Sequence, residues 1–399
     1  MKVLVVGSGG REHALGWKIA SSPELDELHA APGNPGIATF GSCHPVRPDD
    51  AEGLLELAST LDIDLVVIGP EAPLVAGIAD ALRHAGVSVF GPGAAAARIE
   101  GSKSFAKEVM AAAGVPAAEA LAEAVPPCVV KADGLAAGKG VFVCHTAEEV
   151  RVALEQARTF GGPIVVEELL HGEELSVFAL SDGEHVLPLA AARDHKRVGD
   201  GDTGPNTGGM GSYSPVDGVA LDLGTLVSTV HTPVVAELAR RGTPFTGLLY
   251  AGLMLTDDGP KVLEFNCRFG DPETQSVLPC LESDLLPLLA SAAAGRLDHA
   301  PAPSSRGAAV TVVLAAGGYP ETGDIGSLID GVTAAESEGA LVFHAGTARS
   351  RGRLVTNGGR ILCVTGVGDS VPEARDRAYA GVDRIAFAGA RYRRDVAGA

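Results

Sequence analysis

The sequence predicts an α/β protein of several domains, led by a doubly wound parallel sheet. Three observations carry this expectation. From residue 3 to about residue 90, short aliphatic runs alternate with amphipathic stretches, the βαβ rhythm of a parallel sheet covered by helices. The 399 residues exceed the size at which a single core stops growing. The composition, 46% hydrophobic but only 4% aromatic, is the Ala-, Val-, Leu- and Gly-rich mixture of parallel sheets built from aliphatic strands.

In order, Val3–Val6 reads as a buried strand, 10–20 as a helix, Leu28–Ala31 as a short strand and Leu54–Thr60 as a helix. Asp64–Ile68 is a strand, Leu74–Ala85 a helix and Val87–Phe90 a strand. Gly91-Pro-Gly93 closes this unit and sets a first domain of residues 1–100. Ile99–Ala113 reads as a helix ended by Gly114 and Pro116, followed by an Ala/Pro-rich connector over 117–127. A compact unit over 127–186 holds strands Cys128–Ala132, Val141–His145 and Ile164–Glu168, with a helix opened by the capping box Thr146-Ala-Glu-Glu149. The strand Leu175–Ser181 is placed in the same unit, and His185–Ala191 is the next strand. A central region is assembled from 101–126 and 187–306. It contains a glycine-dense loop over Gly199–Gly211, helix Leu221–Arg240 and strands Leu248–Leu255 and Lys261–Cys267. A small α/β piece over 307–399 ends with a helix behind a second capping box, Ser370-Val-Pro-Glu373.

The formal charge of −19 argues against nucleic acid or an anionic membrane as the main partner, while leaving room for small anions at helix N-termini. Six cysteines lie scattered without a Cys-x-x-Cys, as in reduced cytosolic proteins. The chain opens directly into a strand without signal-peptide architecture, and no apolar run approaches the roughly eighteen residues of a membrane span. A cytoplasmic location is expected.

The most informative run is Lys261-Val-Leu-Glu-Phe-Asn-Cys-Arg-Phe-Gly-Asp-Pro-Glu273. Strand alternation puts Glu264 and Asn266 on one face and Leu263 and Phe265 on the other. An acid and an amide two apart offer hard oxygens suited to Mg²⁺ shared with nucleotide phosphates, although a plain exposed strand face reads the same way in isolation. Arg268 follows within reach of the same oxygens, a planar fork for phosphate or carboxylate.

Gly7-Ser-Gly-Gly-Arg-Glu12 follows the first strand. Glu12 stands where a dinucleotide fingerprint needs its third glycine, and the second strand ends in Pro32-Gly-Asn34 without a ribose acid. A nicotinamide cofactor is therefore disfavoured and a phosphate-bearing small molecule preferred. Glu71, at the end of the Asp64–Ile68 strand, is placed either for ribose hydroxyls or as a helix-dipole acid. Lys131-Ala-Asp-Gly-Leu-Ala-Ala-Gly-Lys-Gly140 has the wrong spacing for a Walker loop, yet two lysines around a small loop suit a lid over phosphates. Glu167-Glu-Leu169 and Glu173-Glu174 flank a strand junction where backbone could pair an adenine edge and Glu174 a ribose. Asp194-His-Lys-Arg197 precedes six glycines within thirteen residues, a density that implies close backbone approach to a ligand.

Seven motifs in order now resemble the glycinamide ribonucleotide synthetase family of the ATP-grasp superfamily: Gly7 to Ala14, Ala31 to Asn34, Gly69 to Leu74, Gly101 to Lys103, Lys131 to Gly140, Asp194 to Gly211 and Glu264 to Glu273. The resemblance implies ATP-grasp central and lid domains behind the N-terminal sheet. It also implies ligation of glycine to 5-phosphoribosylamine with ATP as substrate, through glycyl phosphate. Carried over residue by residue, Lys103, Lys131, Gly138, Gly140, Glu167, Leu169 and Glu174 would bind ATP. Glu264 and Asn266 would hold Mg²⁺, or Mn²⁺ in its place. Gly9, Gly10, Arg11, Asn34, Glu71, Asn206, Gly208 and Gly209 would bind substrate. Arg268, Lys139 and Asp194 would serve catalysis, Asp194 through the glycine ammonium. The resemblance further implies a monomer in transient contact with neighbouring purine-pathway enzymes. The lid is shorter than the family leads one to expect, as is the tail after Arg391. Another ATP-grasp carboxylate–amine ligase or a biotin-type carboxylase is the nearest alternative.

Overall fold

The computed structural model describes residues 1–135, 139–219 and 221–398. Its N-terminal sheet has five parallel strands in the order Ser42–Cys43, Glu27–Pro32, Lys2–Gly7, Leu65–Ile68 and Val89–Phe90. The order reverses beside Lys2–Gly7, so the carboxyl ends of three strands open a crevice there, the usual ligand position in such sheets. Two expected helices are each divided. Leu74–Ala85 becomes Glu71–Val75 and Ile78–His84, parted by Gly77 in the left-handed region at φ 87°. Ile99–Ala113 becomes Ala94–Gly101 and Lys103–Ala113, because Ser102 turns extended and its side chain caps Phe105 N–H.

The small unit is a three-stranded antiparallel sheet of Val141–Cys144, Cys128–Ala132 and Ile164–Glu168. Helix Ala147–Arg158 packs on it around a core that includes Val130, Cys144 and Val150. The capping box forms as expected: Glu149 N–H donates to Thr146 Oγ1, and Glu149 accepts from Thr146 N–H.

The strand expected to complete that unit lies elsewhere. Glu173–Asp182 sits inside an eight-stranded sheet ordered Gly259–Asn266, Thr246–Thr256, Glu173–Asp182, Val186–Asp194, Gly211–Ser214, Ala308–Ala315, Arg360–Gly368 and Leu341–His344. The reason is burial on both faces. Leu175, Val177 and Ala179 enter one core while Phe178 and Leu180 enter another, which a thin lid sheet could not cover. The C-terminal segment continues this sheet, with Gly211–Ser214 pairing on one side to Val186–Asp194 and on the other to Ala308–Ala315.

Two further differences bear on the site. Part of the glycine-dense segment expected as loop is a hairpin, Arg197–Gly199 against Thr203–Asn206. The C-terminal tail pins it: Gly201 N–H donates to Asp395 at 2.8 Å, and buried Arg393 bonds Asp202 at 2.6 Å. In Gly259–Asn266 the alternation breaks at Leu263. Gly252 faces Glu264 but Leu253 faces Val262, so Leu263 is the extra residue of a bulge. Val262 and Phe265 are the buried pair, in place of Leu263 and Phe265. Leu263's carbonyl accepts from Lys131 Nζ at 3.0 Å.

Candidate active site

At the N-terminal crevice the chain satisfies its own polar groups. Gly7 turns left-handed at φ 127°, and a Cβ there would lie 2.5 Å from Glu12 Cγ, so the turn closes around Glu12. Glu12, 2% exposed, accepts from Gly9 N–H and from Arg11 Nε, each at 2.6 Å. Arg11 also donates to Phe269 O at 3.1 Å and stands 3.8 Å from Glu71. Gly10 packs against Gln275 and Cys363 with no room for a Cβ. Asn34 donates to Ser8 O at 2.9 Å and His344 O at 2.8 Å, and accepts from Gly36 and Ile37 N–H. Gly9, Gly10, Arg11 and Asn34 therefore meet at the strand ends, with the Asn34 amide engaged wholly by protein.

Glu71 opens the short helix after Leu65–Ile68. Burial alone would raise its pKa, but Arg268 and Arg11 bring it down to about 2, so it is ionised at neutral pH. Arg268 was expected to reach the oxygens of Glu264; its ion-pair partners are instead Glu71 and Glu100. It donates to Glu71 at 3.2 Å and to Glu100 at 2.9 Å. Glu100 also accepts from Cys267 N–H at 2.8 Å. Burial raises the Glu100 pKa against the pull of Arg268.

At the other end, Lys103 begins its helix and donates to Gly134 O at 3.0 Å. Burial lowers its pKa, opposed by the nearby Glu264 charge. Lys131 lies 2.5 Å from Glu167, which also pairs with Lys107 at 2.8 Å. The Glu167 side chain is thus a buried bridge between two lysines, while the adenine reading above concerns the backbone of this junction. Leu169 follows its strand, half-buried. Glu174, assigned above to the ribose, pairs with Lys196 at 3.0 Å, and Lys196 also holds both oxygens of Asp194 at 2.9 and 3.1 Å. The Asp194 carboxylate is therefore neutralised by its own chain.

Lys139 donates to Pro320 O at 3.0 Å, joining the lid to the C-terminal segment. It lines a cleft of about 500 Å³ together with Phe142, Arg197, Asn206 and Pro320. Gly140 accepts from Ala132 N–H; Gly138 lies outside the described residues. Gly208 and Gly209 do not line that cleft. Arg360 donates to Gly208 O at 2.6 Å and pairs with Asp271 at 2.9 Å, while Tyr319 accepts from Gly208 N–H. Gly209, at φ 104°, packs against Pro272.

Glu264 and Asn266 differ from all of these. They share the face of their strand opposite buried Phe265. Among the described residues Glu264 has no ion pair, and neither side chain makes a hydrogen bond to protein. No cluster of three or more His, Cys, Asp or Glu suits a metal among the described residues. An acid and an amide with open oxygens fit Mg²⁺ that arrives with phosphates, which needs only one or two protein carboxyl ligands.

Sequence reasoning missed Glu100, Lys107, Lys196, Glu273, Tyr319 and Arg360. Lys107 had a signal, one helical turn beyond Lys103 on the same face, and Lys196 and Glu273 lay within motifs already singled out. Glu273 is buried, 3.5 Å from Ser176 Oγ; burial and then Asp194 push its pKa up to about 7. Arg360 and Tyr319 had no local signal. His195, which received no role above, accepts from Ala397 N–H through Nε2 at 3.2 Å, consistent with a pKa lowered by burial.

Residues 1–100 match the N domain of phosphoribosylglycinamide synthetase, 101–274 its ATP-grasp (A) domain and 309–399 its C domain. A phosphoribosylamine–glycine ligase of Streptomyces coelicolor is 51% identical over 416 residues, spanning 100% of this chain and 99% of the relative. The crystal structure of phosphoribosylamine–glycine ligase from Thermotoga maritima aligns with a TM-score of 0.84 at 36% identity, over 99% of this chain and 100% of that one. The biotin carboxylase domain of a 2-oxoglutarate carboxylase from Hydrogenobacter thermophilus, solved with MgADP and bicarbonate, shares the fold at a TM-score of 0.72 and 18% identity, over 98% and 91% of the two chains.

Proposed function

The chain belongs to the phosphoribosylglycinamide synthetase family, and from that membership we infer a ligase that joins glycine to 5-phosphoribosylamine with ATP, in purine biosynthesis. The products are glycinamide ribonucleotide, ADP and phosphate. The observation that best supports one shared chamber is the 3.2 Å bond from Arg268, two residues beyond Asn266, to Glu71 at the N-terminal crevice. The two cradles meet at one arginine.

The chemistry needs two displacements. A glycine carboxylate oxygen attacks the γ-phosphorus, the bond to the β-phosphate oxygen breaks and ADP leaves. The phosphoribosylamine nitrogen then attacks the carbonyl of glycyl phosphate, phosphate leaves and the nitrogen gives up a proton. In-line positioning and charge neutralisation dominate the first step, and exclusion of water from a labile acyl phosphate dominates the second. Glu264 and Asn266 would hold Mg²⁺, or Mn²⁺, which when bound neutralises triphosphate charge. Lys103, which donates to Gly134 O, and Lys131, paired with Glu167, would contact the phosphates, and Lys139, bonded to Pro320 O, would close the lid. Gly9, Gly10 and Arg11 border the sugar-phosphate cradle, with Glu71 for ribose hydroxyls. Among the described residues no helix is long and apolar enough to cross a membrane; a cytoplasmic location is proposed from the family membership alone.

A coupled ADP-release assay with each substrate omitted in turn tests this reading. ADP formation should require ATP, glycine and phosphoribosylamine together for full rate. Release driven by bicarbonate in place of glycine would assign a carboxylase instead.

A further inference from the structure

Arg268 stands between two carboxylates of unequal character. The Glu100 side chain, 8% exposed, accepts from both Arg268 and Cys267 N–H. It therefore ties the guanidinium and the backbone at the end of the strand that carries Glu264 and Asn266. It also lies in the last turn of the helix Ala94–Gly101, three residues before Lys103. A buried carboxylate with two donors, one of them charged, is costly to separate from either. The Glu71 side chain is 29% exposed and holds Arg268 by one longer bond of 3.2 Å; its other cation, Arg11, stays 3.8 Å away. Glu71 lies at the carboxyl end of a parallel strand beside the topological switch, where an arriving ligand meets it first.

We propose that Arg268 couples the two substrate sites: Glu100 is its fixed positioning residue, and Glu71 holds it only until the ribose of phosphoribosylamine engages that carboxylate, freeing the Nε edge of the guanidinium for the acyl phosphate. The inference rests on the ligase reading and adds an order of events to it. Glycyl phosphate formed without an acceptor is lost to water. A preorganised donor at the developing charge is worth on the order of a hundredfold in rate. Withholding that donor until the amine is bound suppresses futile turnover. The driving force is differential: ribose hydroxyls bind the state in which Glu71 is free of Arg268, so occupancy shifts the arginine toward the reacting centre. The coupling is reciprocal, so MgATP with glycine tightens the sugar site.

The test measures glycine-dependent phosphate release in the absence of phosphoribosylamine. Ribose 5-phosphate is the probe, since it carries the sugar phosphate without the nucleophilic amine. In the wild-type protein it should raise this acceptor-free release about tenfold, a fraction of what the freed donor supplies. Glu71→Gln, which keeps the shape and removes the charge, should show that raised rate without the probe and gain nothing from it. Glu100→Gln should lower the coupled rate on the order of a hundredfold without raising acceptor-free release, because its arginine is no longer aimed. Unchanged release at ribose 5-phosphate concentrations that saturate the protein by calorimetry overturns the coupling, as does an acceptor-free rate in Glu71→Gln no higher than wild type. Absence of calorimetric binding removes the sugar cradle and the coupling with it. A wild-type protein that forms no ADP with all three substrates present refutes the ligase reading itself, a separate outcome.

Discussion

The two ends of the proposed chamber, a sugar end at the N-terminal crevice and a metal end at Glu264, are built on different plans. At the sugar end Arg11, Glu12, Asn34 and Glu71 all have protein partners, and the Asn34 amide donates and accepts to its capacity. At the metal end Glu264 and Asn266 have none among the described residues, and there the Lys103 ammonium donates only to a backbone carbonyl. Buried polar groups that find partners inside the protein hold a cradle rigid, whereas groups left without them are available to ligand. On this reading Arg11, Glu12 and Asn34 are scaffold at one end, where the partly exposed Glu71 is the group left for ligand, and Glu264 and Asn266 are the groups left for ligand at the other. The lysine pair around Glu167 crosses this division, since it lies at the nucleotide end and is internally neutralised.

Glu264→Ala should sharpen the contrast most. Turnover in the ADP-release assay is expected to fall on the order of a thousandfold or more, because neutralisation of the triphosphate is lost. The urea midpoint should barely move, since no protein partner is stranded; an active variant would remove the metal assignment. Glu167→Ala should do the opposite and lose about 3–5 kcal/mol of stability in urea denaturation, because the buried Lys131 and mostly buried Lys107 ammonium groups lose their shared counter-charge. Adding Lys107→Ala should recover part of that loss; no recovery would mean the bridge is not coupled.

Acid should weaken the fold before ordinary carboxylates protonate. His13, His231 and His344 are kept neutral, their pKa values lowered by burial to about 3, 4 and 4, with His344 adding to the effect on His13 and Arg349 to that on His344. Two of them face each other at the sugar end, where His344 N–H donates to His13 Nδ1 at 2.7 Å. Unfolded, each titrates near 6.5, so the unfolded chain takes up protons first and stability falls as pH drops from about 6.5 toward 4. Glu273, raised to about 7, works with the opposite sign between its unfolded value and 7 and offsets one of the three. The net loss should be on the order of 2–4 kcal/mol between pH 6.5 and 5. A urea midpoint constant over that interval would contradict it. The smallest effect is expected for Asn34→Ala, about 1–3 kcal/mol of stability from unsatisfied Gly36 and Ile37 N–H groups. A loss of activity without a stability change would instead place Asn34 among the ligand contacts.

Much of this architecture is written in local pattern. Hydrophobic period, Gly-Pro punctuation and capping residues at Thr146 and Ser370 depend on steric preferences within a few residues, so the N-terminal sheet, the lid helix and the last helix are readable directly. Glu264 and Asn266 share a face for the same reason, since two residues apart on a strand remain on one side past the bulge. Other features answer to packing between distant segments. Glu173–Asp182 joined the large sheet because both of its faces needed cover, and Ser102 split a helix that periodicity alone would have run through. Which acid meets which cation is likewise a matter of distance in space: Glu71 finds Arg268 across 197 positions, and Arg360 reaches Gly208 across 152. Residue types and spacing settled what chemistry the chain carries. The folded packing settled which of those groups are already neutralised and which still face a ligand, because Coulomb and hydrogen-bond energies follow three-dimensional neighbours and burial, whatever the separation along the chain.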